Sequence, residues 1–140
     1  KAHRAAFAAA LKDRGAPYPQ LFTATPNAGL RTPYDLDGDG KTEIAYIEKP
    51  HLAKVLMVWR YSDQKLTPVA KKAGLTNHKI GQDFISGGIR NCGQGPEIVT
   101  ADANWTRIIA TKLKAGALIS RELGRFDGPK GLRAAVLCED

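Results

Sequence analysis

Residues 35–48 read Asp35-Leu36-Asp37-Gly38-Asp39-Gly40-Lys41-Thr42-Glu43-Ile44-Ala45-Tyr46-Ile47-Glu48. The opening part of this stretch sets Asp35, Asp37 and Asp39 at alternate positions, with Gly38 and Gly40 among them. Glycine takes the backbone angles that a tight curl demands, so the three carboxylates can converge on one centre. A hard cation such as calcium gathers about six to eight oxygen ligands at roughly 2.3–2.6 Å. The aspartates supply three of them, the Lys41 main-chain carbonyl another, and Glu43 a carboxylate or a contact through water. Without a counter-cation, like charges packed this closely repel one another. The alternative is an Asp/Gly-rich hairpin turn that holds no metal. Calcium is therefore the expected cofactor, in a structural role, because one short loop provides every ligand and leaves no position for a substrate.

From Ile44 the pattern changes to that of a β-strand. An EF-hand would need Glu at the twelfth loop position and a helix on each side. Here the twelfth residue is Tyr46, and Ile44–Glu48 alternates as a strand does. Val55–Tyr61, rich in β-branched and aromatic residues, predicts a second strand. Ser62–Lys65 follows as a hairpin turn and Leu66–Ala70 as a third strand. Gly74–His78 turns the chain again, and Asp83–Ser86 is expected to form a fourth strand, ending at Gly87-Gly88.

The same order then recurs. Glu97–Asp102 aligns with Glu43–Glu48, 54 positions earlier, Arg107–Leu113 with Val55–Tyr61, and Ala117–Leu123 with Leu66–Ala70. A period of this length lies near that of propeller blades. The chain reads as a repeat protein.

Upstream, residues 2–14 place Phe7, Ala10 and Leu11 at helical spacing, with Gly15 as a stop and Pro17 beyond it. Ala5–Leu11 is too short and too alanine-rich for a signal peptide, and a short helix is expected instead. Residues 15–34 are punctuated by Pro17, Pro19, Pro26, Gly29 and Pro33, leaving room for one strand over Gln20–Thr25. The chain has 140 residues, the size of one globular domain, and no apolar window of about 18 residues that could span a bilayer. Its formal charge of +7 comes from 21 basic residues spread along the sequence. Aromatic residues do not interleave with them as a base-stacking platform requires, so nucleic acid is not an expected partner. Cys92 and Cys138 lack CxxC spacing and a zinc complement. They are either buried thiols or one disulfide, the latter implying an oxidising compartment.

The stretch DLDGDGKTEIAYIEKPHLAKVLMVWRY (residues 35–61) resembles an FG-GAP/VCBS repeat, a calcium loop entering a strand. Residues 74–113, GLTNHKIGQDFISGGIRNCGQGPEIVTADANWTRIIATKL, are similar to bacterial proteins of VCBS type. The resemblance implies antiparallel four-stranded blades of a β-propeller, usually in secreted or periplasmic proteins. It also implies Asp35, Asp37, Asp39 and Glu43 as ion ligands. In the second copy the loop has become Arg90-Asn91-Cys92-Gly93-Gln94-Gly95, without a carboxylate, so one ion is expected. A disulfide from Cys92 to Cys138 could pin that turn in place of a metal.

The expected fold is all-β with a short N-terminal helix and about two antiparallel propeller-type blades. Residues 1–34 form the lead-in and 35–140 the blade domain, in copies of about 35–88 and 89–140. Two blades cannot close a propeller, so further blades or partner subunits are expected at the open edges. The expected role is a non-enzymatic, calcium-stabilised recognition or accessory module of an exported protein or assembly. A carbohydrate-binding module is the first alternative: Trp105 beside Asn104 could stack a sugar ring, or close a hairpin. A hydrolase built on His78, Asp83 and Ser86 is the second, but no G-x-S-x-G elbow accompanies those residues. Cys92 has no adjacent histidine to activate it as a nucleophile, and His3 and His51 are isolated.

Overall fold

A computed structural model of the chain describes residues 35–139. Eight strands are described: β1 (Thr42–Glu48), β2 (Val55–Ser62), β3 (Lys65–Ala73), β4 (Leu75–Thr76), β5 (Gly88–Asn91), β6 (Pro96–Asp102), β7 (Arg107–Lys114) and β8 (Ala117–Arg125). One helix, α1 (Pro129–Val136), follows them. All pairing is antiparallel. The first sheet runs β1-β2-β3, and the second β4-β6-β7-β8 with β5 also on β6.

The two copies repeat one design. β1 and β6 share the same burial pattern, partly accessible only at their ends, as strands covered on both faces are. In each copy the two strands that come next are joined by a two-residue hairpin. Asp63 and Gln64 join β2 to β3 with φ of 53° and 62°, while Ala115 and Gly116 join β7 to β8 with φ of 51° and 79°. Positive φ at both positions is the type I′ geometry, whose twist matches that of paired strands. Each hairpin also carries a register shift, at Val58/Trp59 and at Ile108/Ile109. Pro68 lies opposite Trp59 on β3, an edge strand among the described residues, the place in a sheet where proline is tolerated.

The expected fourth strand at Asp83–Ser86 is not formed. Instead β4 and β5 line the same side of β6 in succession: Thr76 pairs with Ala101, and Gly88 with Val99. One edge strand is thus interrupted by an excursion over residues 77–87, closed at its base by the Ser86 amide donating to the Asn77 carbonyl at 2.7 Å. Phe84, half exposed inside that excursion, has no face of a sheet to join. Gly81 and Gly87, at φ of 94° and 119°, supply the backbone angles of its bends.

The core lies between the sheets. Ala45, Ile47, Leu56 and Val58 of the first pack with Leu75, Ile89, Ile98 and Leu113 of the second. On the outer face of the second sheet, Leu132, Ala135 and Val136 of α1 cover Val99, Ala101 and Ile108. On the outer face of the first, Ile44, Tyr46, Trp59 and Leu66 form a further buried cluster. The fold is therefore mostly β and antiparallel, as expected. The described helix is C-terminal, which corrects the expectation of a helix at the N-terminus alone. The expected helix over residues 2–14 and strand over Gln20–Thr25 fall outside the described residues. α1 escaped the sequence reading because it is short and carries Gly131, although Pro129 sits at its first turn, where proline is favoured.

Candidate metal centre

The acidic loop folds by pairing its carboxylates with its own amides. Asp35 accepts from the Gly38 amide at 2.9 Å and from the Gly40 amide at 2.7 Å. Asp37 accepts from Asp39 N at 3.3 Å, and Asp39 from Lys41 N at 2.8 Å. Gly38 and Gly40, with φ of 78° and 85°, permit the curl. Glu43, at the start of β1, is buried, and its Oε1 accepts from the Leu36 amide at 2.7 Å. Leu36 is itself buried in the inter-sheet core, so the loop is anchored at both ends.

The alternation of Asp35, Asp37 and Asp39 in the sequence becomes convergence in space. One oxygen from each of Asp35, Asp37, Asp39 and Glu43 lies within 4.8 Å of the others. That spread equals the diameter of an oxygen shell around an ion at about 2.4 Å. The donors are all hard oxygens, and each carboxylate oxygen bound to an amide retains a second lone pair. Lys41 is exposed and takes part in the loop through its main chain, where its amide donates to Asp39.

Arg60 completes the cluster. It lies directly across from Glu43 in the β1–β2 ladder. Its Nε donates to Glu43 Oε2 at 3.1 Å, while Nη2 stands 2.9 Å from Asp37 Oδ2 and 3.5 Å from Asp39 Oδ2. One guanidinium does not neutralise four carboxylates. Burial, with the Asp37 and Asp39 charges added, lifts the Glu43 carboxyl to about 6 against the pull of the Leu36 amide and Arg60. Burial also raises Asp37, whereas the Lys41 amide holds Asp39 low. The hydrogen bond to Glu43 raises Arg60. A carboxylate left short of positive charge, inside an oxygen cage of this size, suits a divalent cation. The residues fit one.

The second copy keeps the same place without the three aspartates. Asn91 accepts from Gly93 N at 2.9 Å and Gly95 N at 3.2 Å, keeping the turn. Lys112 donates to the Gln94 carbonyl. Glu97, the counterpart of Glu43, is buried with Arg90 at 3.2 Å and joined by the more exposed Arg121 at 3.0 Å. Arg90 also donates to the Ala135 carbonyl at 2.9 Å, which ties α1 to the sheet. Cys92 and Cys138 form a disulfide, with Cα atoms 5.8 Å apart. Among the described residues, the Asp35–Glu43 loop holds the one acidic cluster able to take a metal.

The other candidate residues separate. Both ring nitrogens of His78 are engaged, by His51 Nε2 and by the Gln82 carbonyl, each at 2.7 Å. Neither bond involves Asp83 or Ser86. The Ser86 hydroxyl and the Asn77 side-chain amide, both buried, have no hydrogen-bond partner among the described residues. Asn104 is exposed, and Trp105 is half-buried against the α1 cluster, edge-on to Phe126 at 5.2 Å. Lys79 Nζ stands 5.1 Å from the Trp105 ring centre, so a sugar stacking there would have to displace it. Asp102 braces this connection, accepting from the Thr106 amide and hydroxyl, both at 2.6 Å, and from the Arg107 amide at 3.0 Å. Burial pushes Asp102 up, but these bonds outweigh it and hold the carboxyl low.

Sequence reasoning missed Arg60, Arg90 and Glu97. The available signal was a charge inside an otherwise apolar strand: Arg60 between Trp59 and Tyr61, and Glu97 at the place of Glu43. No protein-family model, no curated protein and no solved structure matches this chain.

Proposed function

We propose that this chain is a calcium-stabilised, non-enzymatic recognition or accessory module of FG-GAP/VCBS type, working within an exported protein or assembly. The observation that carries the reading is the convergence of Asp35, Asp37, Asp39 and Glu43 at the mouth of β1. Calcium there would lock the loop onto β1 through Glu43 and onto the core through Leu36. Such a cation supplies charge neutralisation and rigidity, with no role in making or breaking bonds. The Cys92–Cys138 disulfide supports an oxidising compartment, and no helix among the described residues is long and apolar enough to cross a membrane. Neighbouring subunits or further blades are the partners this reading expects, at edge strands such as β3 and β8.

Calorimetry on chelator-treated protein tests it. Calcium at about a hundred times its Kd should add roughly 3 kcal/mol of stability and raise Tm by several degrees. The gain should vanish in the D37N/D39N double variant. A Tm indifferent to millimolar calcium in the wild type would remove the reading's foundation.

A further inference from the structure

Each repeat aims one cation from its middle strand at the loop that opens the repeat. In the first copy that cation is Arg60, in contact with Asp37, Asp39 and Glu43. β2 begins at Val55 and β7 at Arg107, 52 positions on, and the same step carries Arg60 onto Lys112. Lys112 Nζ donates to the Gln94 carbonyl of a loop that has no carboxylate. The positive side chain is thus common to both copies, while the acidic cluster belongs to one.

We infer that Arg60 is a tethered cation that holds the acidic loop together in metal-free protein and sets calcium affinity by competing for Asp37, Asp39 and Glu43. The inference rests on the calcium reading above. Arg60 takes one oxygen from each of three of the four clustered carboxylates and leaves Asp35 to the loop amides. Two positive species drawn to the same oxygens repel each other, and the guanidinium is the one held by a covalent stem. A calcium ion must displace the guanidinium from those oxygens, and the work of doing so weakens binding. The Arg60 side chain is a quarter exposed, so its head group has a path to solvent while its stem stays on the strand.

Isothermal titration of the full chain with calcium chloride, after dialysis against chelator, compares the wild type with R60Q. The expected result is a calcium Kd lowered about tenfold or more in R60Q, alongside a lower Tm for metal-free R60Q than for metal-free wild type. A Kd equal to or above the wild-type value overturns the inference and leaves the calcium site standing. Titrations without binding heat in both proteins overturn the calcium reading itself, and the competition with it. Should R60Q not fold without metal, the wild type decides through the Nε–H proton resonance of Arg60. That proton should exchange slowly with solvent in metal-free protein and faster at saturating calcium. An exchange rate that calcium leaves unchanged overturns the inference.

Discussion

Glu43 and Arg60 meet across neighbouring strands at a point where burial drives the carboxyl towards its neutral form. A comparable pair stands in the second copy, where Glu97 and Arg90 are both buried. Removing one member of a buried pair leaves the other charge uncompensated. R90M is therefore expected to destabilise the chain by about 3 kcal/mol in urea denaturation at pH 7, with the exposed Arg121 providing incomplete relief. Asp102 gives the pH dependence. Its folded-state carboxyl lies below the ordinary value near 3.8, so its stabilisation is present above that value and is lost as pH falls through the folded pKa. D102A should cost about 1–2 kcal/mol at neutral pH, and the difference from wild type should shrink as the pH drops towards 3. A difference that stays constant across that range would show that the charge plays no part. The three aspartates and Glu43 were legible because their spacing needs no knowledge of the fold. Arg60, Arg90 and Arg121 were not, because only strand register brings them to a carboxylate.

Strands made of alternating or continuous apolar residues, such as Val55–Ser62 and Arg107–Lys114, declare themselves through local chemistry. The hairpins follow from Asp63-Gln64 and Ala115-Gly116, although only the second has glycine at a position that requires positive φ. Gln64 holds φ at 62° with a side chain present. Q64G should therefore stabilise the first hairpin by roughly 0.5–1 kcal/mol, read as a Tm rise of a few degrees. A fall in Tm would mean that the Gln64 side chain contributes more than its backbone strain costs. The interrupted edge strand was not legible. β4 has two residues and β5 four, and their continuity exists only through the shared partner β6. The four-residue run Asp83–Ser86 looked more strand-like than either, yet it lies in the excursion that separates them.

The molecule is held together by three devices of different range: the inter-sheet core, α1 on the second sheet, and the Cys92–Cys138 bridge. The bridge spans 46 positions and fastens the chain just beyond α1 to the loop that stands, in the second copy, where the acidic loop stands in the first. Closing a loop of that length is worth about 3–4 kcal/mol in the unfolded-chain account, so C92S/C138S should lose a stability of that order in guanidinium denaturation. A loss below about 1 kcal/mol would place the stability of this end in Arg90 and the α1 packing instead. The two copies thus use different chemistry at equivalent places, a covalent clasp in one and a carboxylate cage in the other. The cage is the central claim. Its most direct test is an anomalous difference map from crystals soaked in terbium, a luminescent lanthanide that takes calcium's oxygen ligands. The account predicts one strong peak among the carboxylates of Asp35, Asp37, Asp39 and Glu43, with the Arg60 guanidinium shifted away from them. An absent peak there, or peaks confined to other acidic surface residues, would contradict it.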